Sequence, residues 1–214
     1  MEVDIVAENI EEYVKNLDEF AKSALLETFN IGASHAATAL SEMTGREVNI
    51  SVPDLKVVEI KNVPEIVGED VKVVVYIELG KDFSSHAFFA ADYDDVLRMF
   101  DVIMGNPPGT TTELDDMVKS SFMEMGNILI SAFANALSQF LGITIEQTPP
   151  ALTIDFLPAI LDLALADIGK FCDYTIILQT DIKISGVEFE EHFLLFPKPE
   201  DMKKILEKLL GGLA

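Results

Sequence analysis

The sequence is short of cysteine and of positive charge, and it has no tryptophan. Its lone thiol, Cys172, excludes an internal disulfide and any metal cluster built from several cysteines. Standing at the head of an apolar run, Cys172 is expected to be a small core residue. Fifteen Lys and Arg face 37 Asp and Glu, a formal charge of −22. Such a surface repels phosphate backbones and anionic lipid, which excludes a general nucleic-acid binder. Long apolar runs are missing as well. The two most apolar stretches are broken by Ser131, Asn135, Ser138 and Gln139, or by Pro158, Asp162 and Asp167. Neither reaches the ~18–20 continuous apolar residues of a membrane span. The acidic start has no basic segment leading into an apolar one, so no secretory signal is expected and the cytoplasm is the expected compartment. His35, His86 and His192 lie far apart with no HExxH, and GNPPG lacks the lysine of a phosphate-binding loop. No metal or cofactor held by this chain is expected.

What the sequence does have is a repeat. Its 214 residues are 49% apolar, enough for a sizeable core. Sliding the chain by 97 residues sets Phe20–Pro53 against Met117–Pro150, with 12 of 34 positions identical and no gap. The pairs include Ser23/Ser120, Glu27/Glu124, Asn30/Asn127, Ser41/Ser138, Gly45/Gly142 and Pro53/Pro150. One domain spanning 1–214 is expected, made of repeats at about 15–105 and 112–212 joined by a Gly/Pro loop at 105–111.

Each repeat predicts the same order of elements. A long helix (18–43 and 113–140) ends at Gly45 or Gly142. Short strands follow at 47–52 and 56–60, or at 143–147 and 152–156. Hairpins come next, 71–79 with 86–91 and 172–181 with 188–196, and closing helices at 93–104 and 199–210. The second repeat carries a further apolar helix in Asp155–Gly169 where the first has only VPEIVGED. The fold class is α+β, internally duplicated about a pseudo-two-fold axis, with two long motif-bearing helices on a largely antiparallel sheet.

Ser23, Glu27 and Asn30, and again Ser120, Glu124 and Asn127, are spaced i, i+4, i+7. At ~100° per residue they fall within about 60° on one helix stripe. A polar stripe is commonly just solvated, and duplicated helices also keep packing residues. Retention of the same three residues in both copies raises a functional reading beside that one. A carboxylate and a carboxamide supply no nucleophile, metal cage or strong base. They can pair with a partner's lysine and orient a water, and orienting water is most of what phosphoryl hydrolysis requires.

The pattern [D/S]-x3-E-x2-N-x22-P occurs twice, as Ser23, Glu27, Asn30, Pro53 and as Ser120, Glu124, Asn127, Pro150. It resembles the CheC family of chemotaxis phosphatases, relatives of CheX and of the phosphatase region of FliY. The resemblance implies hydrolysis of the aspartyl-phosphate of the response regulator CheY. Glu27 and Glu124 would each pair with the regulator's active-site lysine, and Asn30 and Asn127 would each orient water. Ser23, Ser120, Pro53 and Pro150 would shape the helix and its adjoining loop. Mg²⁺ would belong to the regulator. CheX-like members carry one motif and dimerise, so a chain with two is expected to act as a monomer. FliY-like members add a flagellar-switch domain, which is not expected after this chain's final GGLA. CheC proteins also bind the receptor deamidase CheD, and the extra helix, with Phe156, Ile160 and Asp162, is where that contact is expected. The alternative is a non-catalytic scaffold holding CheD or CheY. Phe29 before Asn30, against Gly126 before Asn127, raises unequal access to the two sites.

Overall fold

A computed structural model describes residues 19–168 and 174–211, so Cys172 and the outer limits of the repeats lie outside the described residues. Helix α1 (Glu19–Thr44) leads into β1 (Val48–Glu59), a 3-10 turn (Ile60–Asn62) and the short α2 (Val63–Val67). The hairpin β2 (Val71–Lys81) and β3 (Ser85–Asp92) and the helix α3 (Tyr93–Met104) complete the first half. The second half repeats the order as α4 (Asp116–Leu141), β4 (Ile145–Gln147), β5 (Ala151–Phe156), α5 (Leu157–Ile168), β6 (Tyr174–Ile184), β7 (Val187–Pro197) and α6 (Pro199–Gly211).

The strands form one seven-stranded antiparallel sheet in the order β1-β6-β7-β3-β2-β4, with β5 also paired to β2. Each half thus lends its first strand to the hairpin of the other half. The hairpins meet in the middle, where Phe89 of β3 stands opposite Phe193 of β7. The expected pseudo-two-fold α+β architecture is present.

Both faces of the sheet are covered, which is why the central strands read as unbroken apolar runs. Val73, Val75 and Ile77 point into the larger core beneath α1, α3, α4 and α6. Val74, Phe88, Ile177 and Leu194 point the other way, under Val63 and Val67 of α2 and Leu157, Ile160 and Leu161 of α5. The helix stops arise from backbone chemistry. Gly45 and Gly142 adopt left-handed φ of 64° and 73°, a region that penalises any Cβ. Ser41 and Ser138, kept in both copies, tie those helix ends to the chain just beyond them. The Ser41 hydroxyl accepts from the Val48 N–H, and that of Ser138 donates to the Ile143 carbonyl.

One expectation is corrected. The two short strands at 47–52 and 56–60 are a single strand, β1, whose register against β6 shifts between Ser51 and Asp54. Pro53 has no N–H to give the ladder, but a bulge that skips Val52 and Pro53 lets the strand continue past it.

Candidate functional site

On α1, Leu25, Phe29, Ala33, Ala36 and Leu40 recur every three or four residues and are all buried. That stripe turns Ser23 and Glu27 to solvent and leaves Asn30 half-buried at its margin. The same arithmetic on α4 buries Val118, Phe122, Met125, Leu129 and Phe133, exposes Ser120 and Glu124, and leaves Asn127 half-buried. Asp115 fixes the start of α4 by accepting the N–H groups of Met117 and Val118, both at 2.9 Å. Each helix is held beside its own edge strand. Asn30 reaches β1 at Val52, and Ser131 of α4 donates to Gln147 of β4 at 2.8 Å. Because β1 and the β4–β5 pair occupy opposite margins of the sheet, the two Glu–Asn stripes sit at opposite edges of the molecule.

The asparagines differ in how their carboxamides are used. The Asn30 Oδ1 accepts from the Val52 N–H at 2.9 Å, and its Nδ2 donates to the Val52 carbonyl at 3.0 Å and the Leu26 carbonyl at 3.1 Å. Val52 is a residue the β1–β6 ladder skips, so the carboxamide stands in for the missing strand partner. The residue clamped is the one just before Pro53. The carboxamide of Asn127 has no hydrogen-bond partner among the described residues, and it is not among the buried unpartnered atoms, so it meets solvent. Sequence reasoning missed Val52. The available signal was its alignment, in the ungapped repeat, with Pro149.

Access to the two asparagines does not differ through their preceding neighbours. Phe29 is 1% exposed and packs edge-on against Phe133 at 5.5 Å, inside the core rather than over the stripe. Gly126 is also buried, its missing Cβ leaving room for Val75 of β2. The expected partner face is likewise narrowed. Ile160 is 3% exposed and belongs to the core under α5, because one side of that helix must cover the sheet. Phe156, 58% exposed, and the exposed Asp162 are the surface members. The exposed His35 lies on α1 beyond the stripe. Among the described residues no group of three or more His, Cys, Asp or Glu is placed to hold a metal ion, and no helix is long and apolar enough to cross a membrane. A recess of about 460 Å³ opens at Ser51, Asp181 and Glu190, and no motif residue lines it.

One titratable group lies apart from both stripes. Glu191 of β7 is 2% exposed and sits opposite Thr180 of β6, and each carries a buried oxygen without a partner. Burial first, then the charges of Asp95 and Asp92, hold the Glu191 carboxyl well above its ordinary range, with Lys72 opposing. Ionising it therefore weakens the fold. The penalty is absent below the ordinary glutamate value of about 4.3 and grows as pH rises toward the folded-state value. Glu191→Gln is expected to stabilise the protein at pH 8 by about 1–2 kcal/mol and to make little difference at pH 4. Thermal melts at both values check this; an equal shift at both would refute the titration.

The CheC-like family model matches residues 20–57 and 117–154, one segment in each repeat. A CheY-P phosphatase CheC of Bacillus subtilis is 24% identical over 195 residues, covering 88% of this chain and 93% of that protein. A putative CheY-P phosphatase CheC1 of Halobacterium salinarum is 26% identical over 121 residues, covering 56% of this chain and 62% of its own length. The crystal structure of Thermotoga maritima FliY superposes with a TM-score of 0.72 at 26% identity, covering 91% of this chain and 98% of that one. With a matched segment in each repeat and a fold shared with such a relative throughout, the chain is similar to the CheC-like family.

Proposed function

We propose that the protein accelerates hydrolysis of the aspartyl-phosphate of CheY. The observation that carries this reading is the stripe on α4. An exposed carboxylate, Glu124, lies one helical turn from the solvent-facing, unpartnered carboxamide of Asn127, inside a segment that matches the CheC-like family. Two of the relatives that match are named as CheY-P phosphatases. Glu124, and Glu27 at the opposite edge, pair with a lysine of the regulator and set the helix against its phosphorylation site. There Asn127 accepts a hydrogen bond from a water and donates one in return, holding it in line with phosphorus. The water oxygen bonds to phosphorus as the bond to the aspartyl oxygen breaks, leaving carboxylate and inorganic phosphate. The loose transition state asks for placement more than for covalent help, which is what a carboxamide can give. Mg²⁺ is supplied by the regulator. The chain carries both stripes and so works as a monomer, in the cytoplasm. CheD docks at the surface carrying Phe156 and Asp162.

The test tracks decay of phosphorylated CheY, formed with Mg²⁺ and a small phosphodonor. Added protein is expected to speed it. Glu27→Lys together with Glu124→Lys is expected to weaken binding about ten-fold at low salt, because attraction becomes repulsion, and the loss shrinks as salt screens it. Binding without faster decay would replace the enzyme with a scaffold, and unchanged affinity at low salt would refute the lysine pairing. Asp162→Lys is expected to impair CheD binding while leaving hydrolysis intact.

A further inference from the structure

We propose that the two copies have divided their labour, with Asn127 as the catalytic carboxamide, Asn30 as a clamp on the β1 bulge, and Pro149 as the positioning residue that keeps Asn127 free. The inference rests on the phosphatase reading for its activity arm and stands on hydrogen bonding for the rest. In the first copy both amide hydrogens and one of the two oxygen lone pairs of the carboxamide are committed to the backbone. The Asn30 Oδ1 takes the Val52 N–H, and the Nδ2 is shared between the carbonyls of Val52 and Leu26. Freeing it to hold a water would strand the N–H and carbonyl of Val52, whose side chain is 1% exposed and whose place in the ladder is skipped.

The second copy cannot close the same clamp. The repeat sets Val52 opposite Pro149, and proline has no N–H to offer a side-chain oxygen. The strand is accordingly interrupted between Gln147 and Ala151 instead of bulged, and Thr148 secures the break by other means. Its N–H donates to the Glu78 carbonyl at 3.0 Å, and its hydroxyl accepts the Glu78 N–H at 3.0 Å. With the break held by β2, nothing in the fold needs Asn127, and its carboxamide has no partner among the described residues. A single exchange, an N–H present at Val52 and absent at Pro149, thus separates a structural asparagine from a free one.

The experiment pairs CheY-phosphate decay with thermal unfolding and with hydrogen exchange of the asparagine side-chain amides by NMR. Asn127→Ala is expected to cut the acceleration at least ten-fold and leave Tm within 1–2 °C of the parent. Asn30→Ala is expected to lower Tm by several degrees and to keep more than half of the acceleration. Pro149→Val, which restores an N–H, is expected to slow exchange of the Asn127 amide to the level of Asn30 and to lower kcat several-fold with KM unchanged. Loss of acceleration in Asn30→Ala with its Tm intact would overturn the division, as would an Asn127 amide already as protected as that of Asn30. If the parent does not accelerate decay at all, the phosphatase reading fails. The unfolding and exchange arms still decide whether Asn30 is the clamp and Asn127 the free group.

Discussion

Replacing Gly126 by alanine is expected to destabilise the protein by about 2–3 kcal/mol, lowering Tm by roughly 4–12 °C. Propensity alone argues the other way, since alanine in a helix interior is worth about 1 kcal/mol more than glycine. Space decides the sign. A Cβ on Gly126 would lie 2.7 Å from both Cβ and Cγ2 of Val75 and 2.9 Å from its Cγ1. The Val75 Cβ is fixed to the backbone of β2 and cannot swing aside, so α4 must lift from the sheet. Lifting it loosens Phe122, Met125 and Leu129, which face the same core. Gly126→Val should be worse. Adding Val75→Ala to Gly126→Ala removes two of the three crowding carbons and is expected to recover part of the loss, a coupling that melts of the four proteins measure. A more stable Gly126→Ala would mean that helix propensity outweighs the clash. Because Gly126 adjoins Asn127, the same displacement is expected to slow any acceleration of CheY-phosphate decay that rests on the proposed role of Asn127.

Asp101→Ala is expected to cost about 3 kcal/mol, through the loop that joins the repeats. Asp101, fully buried at the end of α3, accepts the N–H groups of Thr110 and Thr111, each at 3.0 Å, and the Thr111 hydroxyl at 2.6 Å. Removing the carboxylate strands three donors at once. Burial by itself would raise the Asp101 carboxyl, but the bonds from Thr111 and Thr110 outweigh it and hold the carboxyl below its ordinary value. The stabilisation is therefore complete above the ordinary aspartate value of about 3.9 and is lost as pH falls through the lower folded-state value. Asp101→Asn should consequently be weaker than the parent at pH 7 and approach it under strong acid. Denaturant midpoints across that range give the comparison, and a gap that stays constant with pH would show that the charge of Asp101 is irrelevant.

Much of this was legible in the sequence because it depended on chemistry local to a few residues. Gly45 and Gly142 mark helix ends since a left-handed cap penalises a Cβ, and Tyr93–Met104 was bounded by an aspartate before it and a glycine after it. The polar stripes came from spacing alone. What could not be read depended on which atoms meet across the fold. Pro53 looked like a gap between two strands because the bulge around it is completed by Asn30, distant in the chain. Ile160 looked as available as Asp162 because helical spacing gives two faces without saying which one the sheet will cover. The unequal commitment of Asn30 and Asn127 was written at Val52 and Pro149, yet it acquires meaning only once the clamp is seen.

The exchange of first strands between the halves has a consequence for synthesis. Val48 of β1 is paired with Ile184 of β6, so the strand made early waits for one of the last to leave the ribosome. Until then the first half holds a finished hairpin with an open flank where β4 and β5 belong, and an edge strand with nowhere to dock. Folding order is thus set by topology: closure of long-range pairs comes late and all together. In that interval the nascent chain presents bare backbone to its neighbours. The same arrangement that places a Glu–Asn stripe at either margin of one sheet leaves β1 without its partner strand until the second hairpin has been made.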